Sequence, residues 1–230
     1  MGSRRACPPG RPSAMPGVVI LVPTERERRV VGPRLAAHGR VELCGFGLVA
    51  AAARTATLLA ELGAERVVLV GIAGRLDDRL AIGSAWHFDR VACHGIGAGT
   101  GAAFVPARTL GWPQWPGDPP DPATAIGDEL RCVASPDRDP SGPGRLLLSV
   151  AAAAATADDV AARLALFPDA AAEDMEGFAV AAACRLRGVP VAIVRGISNV
   201  AGDREPSRWR IDEALETAAD RVLHVLEAAP

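Results

Sequence analysis

Residues 174–199, DMEGFAVAAACRLRGVPVAIVRGISN, constrain the fold more than any other stretch of the chain. Two carboxylates, Asp174 and Glu176, flank Met175, and Gly177 leads into an alanine-rich run at 179–184 made of good helix formers. Gly188 and Pro190 stop that helix in the usual order, glycine near its end and proline beyond. Residues 189–194 are a short, apolar, β-branched run of the kind that forms a buried strand. Ile197-Ser198-Asn199 follow. The segment therefore places a carboxylate at a helix start and an amide just past the end of the next strand. In open α/β sheets, ligands bind at the carboxyl ends of strands.

The same alternation recurs along the chain. Strands are predicted at 18–22, 41–44, 66–70, 84–92 and 145–150. Helices are predicted after Thr24, whose cap precedes Glu25 and Glu27, and at 48–62, 156–166 and 211–226. The class is α/β, and 230 residues suit one domain with a substantial core. Residues 95–101 read as a mobile glycine-rich loop, and 110–122, with Trp112, Trp115 and several prolines, as a rigid irregular segment. Residues 1–17 have no apolar centre for a signal peptide; they read as a disordered leader or as sequence before a true start at Met15, with the domain spanning 18–230.

Composition removes several function classes. A net charge of −2 offers nothing to nucleic acid or a membrane surface, and no stretch approaches the roughly 20 uninterrupted apolar residues of a membrane helix. The four histidines have no metal-binding spacing, so neither metal nor cofactor is expected. Five scattered cysteines without a CxxC pair argue for reduced thiols in a cytoplasmic protein.

DMEG at 174–177 followed by RGISN at 195–199 resembles the nucleoside phosphorylase and nucleosidase superfamily. Within it the chain looks most like futalosine hydrolases, with methylthioadenosine/adenosylhomocysteine nucleosidases as relatives. The likeness runs from about 18 to about 226. It implies a three-layer sandwich, a mixed twisted sheet flanked by helices, assembled as a homodimer or larger homo-oligomer around a small nucleoside substrate. It also implies roles. Glu27, with Glu25 as neighbouring candidate, would activate water. Gly71-Ile72-Ala73-Gly74 resembles the turn under ribose and base, with Ile72 where methylthioadenosine nucleosidases carry serine. Glu176 would hold the ribose hydroxyls, beside Asp174 and Met175. The phrase at 199–209, with Asp203, Arg204, Ser207 and Trp209, resembles that of futalosine hydrolases.

A carboxylate at Glu176 accepts from ribose hydroxyls and favours a cationic ribosyl transition state. Glu27 as general base would also repel phosphate, which argues for hydrolysis over phosphorolysis. Asn199, next to Ser198, stands where adenosine-specific relatives have aspartate. Its amide can donate to the oxygen of a 6-oxopurine and accept from N7–H, which implies hypoxanthine as the leaving base. The 151–155 alanine run offers no aromatic for the purine, leaving Phe178 as a candidate stacking ring. The substrate's benzoate tail could meet Arg108, Arg204 or Arg208. The expected reaction is futalosine hydrolysis, a step of menaquinone biosynthesis. The alternatives are a methylthioadenosine or aminodeoxyfutalosine nucleosidase, a purine nucleoside phosphorylase, and a nucleoside-binding protein without catalysis.

Overall fold

The computed structural model describes residues 17–119, 122–137 and 145–228; the Met15 start and all of the proposed leader but Gly17 lie outside them. Eleven strands and six α-helices are described: β1 (Val18–Val22), α1 (Glu25–Leu35), β2 (Arg40–Leu43), α2 (Leu48–Leu62), β3 (Arg66–Arg75), β4 (Ala85–Phe88), β5 (Arg90–Cys93), β6 (Gly97–Ala98), β7 (Val105–Pro106), α3 (Ala107–Leu110), β8 (Glu129–Arg131), β9 (Leu146–Ser149), α4 (Ala157–Leu166), β10 (Ala170–Asp174), α5 (Gly177–Leu186), β11 (Val191–Val200) and α6 (Ile211–Glu227).

Nine strands form one mixed sheet in the order β2-β1-β3-β10-β9-β5-β8, with β11 pairing β3 and β4. Side chains of β1, β3 and β11 alternate across it. Val19, Leu21, Val67, Leu69, Val191 and Ile193 enter the core under α2 and α5. Their neighbours Val18, Ile20, Val22, Val68, Ala192 and Val194 enter the core under α1 and α6. Period-two alternation of uniformly apolar strands is what burial on both faces requires. The result is a three-layer sandwich.

Strand β3 sets the geometry of the site. β11 runs parallel along its whole length, from Val191↔Val67 to Val200↔Arg75. On the other edge, β1 pairs parallel with residues 66–69, and β10 pairs antiparallel with Gly74 and Arg75. The sheet splits where that edge changes partner. The ends of β1, β3, β10 and β11 open together at the split.

Several expectations change. β3 and β11 each run five or six residues beyond the predicted ends, because their parallel pairing continues past Gly71 and Arg195. Asn199 therefore lies within β11, not after it. The strand predicted at 84–92 is two strands broken at Asp89; β4 joins β11 and β5 joins β9. The glycine-rich loop holds β6, which forms a small ribbon with β7. No helix among the described residues is long and apolar enough to cross a membrane.

Candidate active site

A cavity of about 340 Å³ lies at the split. Its first wall is the start of α1. Thr24 and Glu27 form a reciprocal capping box: Glu27 N–H donates to Thr24 Oγ1 (3.3 Å), while the Thr24 N–H and hydroxyl donate to Glu27 Oε2 (3.0 and 2.5 Å). The other oxygen, Oε1, accepts from the Ile72 N–H at 3.1 Å. Glu27 is thus a helix cap and a cavity residue at once. Ile72 serves through its backbone, so the side chain at that position is free to be apolar.

The opposite wall is an ion cluster around Arg195, whose side chain is fully buried. Asp174 Oδ2 accepts from Arg195 Nε (3.0 Å) and Nη2 (2.5 Å), and Glu176 Oε2 accepts from Nη2 (3.2 Å). Asp174 also receives the Ser149 hydroxyl (2.5 Å) and the Gly177 N–H at the start of α5 (2.8 Å). It is spent on holding Arg195 and the helix. Glu176 keeps spare acceptor capacity: Oε1 takes only the Gly47 N–H, at 3.1 Å. Burial pushes its carboxyl up to about 7, against the pull of the Arg195 charge. Burial also works against the Arg195 charge, but Asp174, Glu176 and Glu27 outweigh it and hold its proton above the ordinary value.

Arg195 Nη1 is buried without a hydrogen-bond partner. A methyl added to Gly71 would overlap Nη1 and stand 2.7 Å from Glu27 Oε1. The Arg195 N–H and the Glu27 oxygen therefore both close on the Gly71 Cα, which leaves no room there for a side chain. A buried, unused donor beside a carboxylate is a costly arrangement for a purely structural residue.

Asn199 lies beside Gly74 at a register shift in β11. Its Nδ2 donates to the Val200 carbonyl and its Oδ1 accepts from Ser198 Oγ, both at 2.8 Å. One amide hydrogen and one lone pair remain. The roof is apolar: Val150, Ala153, Ala154, Phe46 and Ile211. The alanine segment is pinned by Glu173, which accepts from the Ala154 N–H (2.8 Å) and pairs with Arg163, itself bonded to the Ala152 carbonyl (2.7 Å).

The family model of the Phosphorylase superfamily matches residues 25–229. The chain belongs to the Phosphorylase superfamily. It is 35% identical over 160 residues to a futalosine hydrolase of Streptomyces coelicolor, covering 68% of this chain and 63% of that protein, so the match spans under two thirds of that relative's length. It is 30% identical over 181 residues to a 5'-methylthioadenosine/S-adenosylhomocysteine nucleosidase of Marinomonas sp., covering 76% and 73%. A nucleosidase of that name from Neisseria meningitidis, solved in complex with methylthio-immucillin-A, shares the fold at a TM-score of 0.73 and 20% identity, covering 94% of this chain and all of that one.

In this superfamily member, nine of the ten residues singled out from the sequence line one cavity: Glu27, Ile72, Ala73, Gly74, Asp174, Met175, Glu176, Ser198 and Asn199. Phe178 does not. It sits one position into α5, where its side chain turns down into the buried core below α2 and α5. The exposed ring at the cavity is Phe46, 63% accessible between Gly45 and Gly47. Arg108 and Arg208 are also elsewhere; Arg108 lies over Phe167 and Arg208 pairs with Asp203. Of the three arginines, Arg204 lines the cavity. Arg195 belongs to the RGISN phrase but has no role assigned from the sequence, although a charged residue inside the apolar run VAIVRGI demands a buried partner.

Proposed function

We propose that this protein is an N-ribosyl hydrolase that cleaves futalosine to hypoxanthine and dehypoxanthinylfutalosine. The observation that carries the reading is the convergence of Glu27, Glu176 and Asn199 on one cavity, each with hydrogen-bonding capacity left over. Nucleosidases among the relatives support the reaction class.

Glu176 accepts the ribose hydroxyls on its free lone pairs, and its charge favours the oxocarbenium-like transition state. Water sits on the cavity side of Glu27, whose Oε1 has a lone pair left beyond the Ile72 N–H. Glu27 accepts a proton from the water, and the oxygen is left directed at C1′. A carboxylate here disfavours phosphate as nucleophile. The departing base meets Asn199: the remaining Nδ2 hydrogen donates to the 6-oxo group, and Oδ1 accepts N7–H after solvent protonates the anion. A 6-amino base would set two donors against each other, which is the basis for the 6-oxo preference.

The test is chromatography of the protein incubated with futalosine in phosphate-free buffer. Free hypoxanthine is the expected product. Release that requires added phosphate would make it a phosphorylase, and adenine release from 5'-methylthioadenosine alone would make it an adenosine-type nucleosidase. Binding without release from any nucleoside would leave a binding protein.

A further inference from the structure

Glu173 is a carboxylate on the cavity wall to which the proposed reaction gives no role. It is 4% exposed and stands beside Val150, Ala153 and Ala154, where a charge is costly unless something answers it. Arg163 and the alanine segment answer part of it: Arg163 Nη1 donates to Oε2, and the Ala154 N–H donates to Oε1 at 2.8 Å. A carboxylate has about four acceptor sites, so each oxygen keeps one. The sheet register places that spare capacity. Gly74 of β3 pairs with Glu173 of β10 on one side and with Asn199 of β11 on the other. Directly paired residues send their side chains to the same face of a sheet, so Glu173 and Asn199 share a face with a bare glycine between them. Asn199 Nδ2 lies 3.5 Å from where a Gly74 Cβ would stand, which puts the amide on that face. Two strand spacings separate the Glu173 and Asn199 backbones by about 10 Å. All three residues line the cavity.

We infer that Glu173 accepts N1–H of the bound base and is a second specificity residue, reading the edge next to the one that Asn199 reads. The inference rests on the proposed hydrolase reading and adds a residue to it. A base lying at Gly74 with its 6-oxo group and N7 toward Asn199 turns N1 toward Glu173. In a 6-oxopurine N1 carries a hydrogen, which the carboxylate accepts in a charge-assisted bond. In a 6-aminopurine N1 is a bare lone pair, and it would face a carboxylate oxygen with no hydrogen between them. Arg163 holds the carboxylate in place for this task. Pinning the Ala154 N–H uses one lone pair and makes no distinction between bases.

The experiment compares futalosine with aminodeoxyfutalosine, which carries the same tail on a 6-aminopurine, in wild type, Glu173→Gln and the double variant Glu173→Leu/Arg163→Met. Glutamine has one acceptor oxygen, which stays with Arg163, and it offers an NH2 donor to N1. The double variant removes the ion pair as a whole, a change that a buried pair tolerates far better than the loss of one partner, and so keeps the test open if the single variant fails to fold. Wild type is expected to favour futalosine. Glu173→Gln lowers kcat/KM for futalosine about 10²-fold while that for aminodeoxyfutalosine holds or rises, and the double variant lowers the futalosine preference about tenfold. Equal losses on both substrates would reduce Glu173 to a pin for the alanine segment and overturn the inference with the hydrolase reading intact. A wild-type preference for aminodeoxyfutalosine would overturn it directly. Failure of wild type to release base from either substrate would instead remove the hydrolase reading, and the inference with it.

Discussion

Glu176→Gln keeps the size of the side chain and removes its charge, and the structure indicates what that charge costs. The residue is 4% exposed, and burial pushes its carboxyl from the ordinary 4.5 to about 7. At about 1.4 kcal/mol per tenfold in proton affinity, that is a bias of about 3 kcal/mol toward the neutral form. Because the folded value is the higher one, its contribution to stability is fully present below about pH 4.5 and lost as pH rises through about 7. Glutamine has no such dependence. Subtracting variant from wild type cancels the other titrations, so wild type should lose about 2–3 kcal/mol relative to the variant between pH 5 and pH 8. A single amide oxygen cannot accept from both Gly47 N–H and Arg195, which adds a pH-independent penalty of about 1–3 kcal/mol. Urea unfolding of both proteins at the two pH values measures the difference. Turnover should fall about 10²-fold or more, since the charge facing the ribosyl cation is gone. The same proton gives wild-type kcat/KM an acid limb below about pH 7. A stability difference flat in pH would refute the burial argument. A variant with near wild-type turnover would refute the catalytic role.

Gly71→Ala drives a methyl into Arg195 Nη1 and against Glu27 Oε1; kcat/KM should drop about 10²-fold with a stability loss of about 1–3 kcal/mol, and wild-type kinetics would sink the role given to Glu27 as a positioned base. Arg163→Ala strands buried Glu173 and frees the alanine segment; a loss of about 3–5 kcal/mol, read as a fall of roughly 10 °C in Tm, is expected by calorimetry. Asn199→Asp should shift preference from 6-oxo toward 6-amino nucleosides in paired kinetics, and an unchanged ratio would count against the role given to the amide.

Much of this was legible in one dimension. The apolar runs of β1, β3 and β11 announce buried strands, and the Thr24–Glu27 and Thr156–Asp159 boxes announce helix starts, because these signals act over three or four residues. β10 was not legible. Its sequence, AAAED, has the local preference of a helix, and only flanking strands and burial on every side make it extended. The fate of 84–92 was hidden for the same reason, since pairing with β11 or β9 is decided by strands a hundred residues or fifty away in sequence.

The sequence by itself determined the α/β class, the helix caps and the chemical types of the working residues, all of them properties of short-range periodicity and side-chain chemistry. Only tertiary structure decided that Phe178 is core while Phe46 is wall, that Asp174 is spent on Arg195, and that Glu173 and Asn199 flank Gly74 on one face of the sheet. These facts depend on where the split in β3 pairing brings together four strand ends, and that meeting is fixed by backbone hydrogen bonds between segments that have no local knowledge of one another.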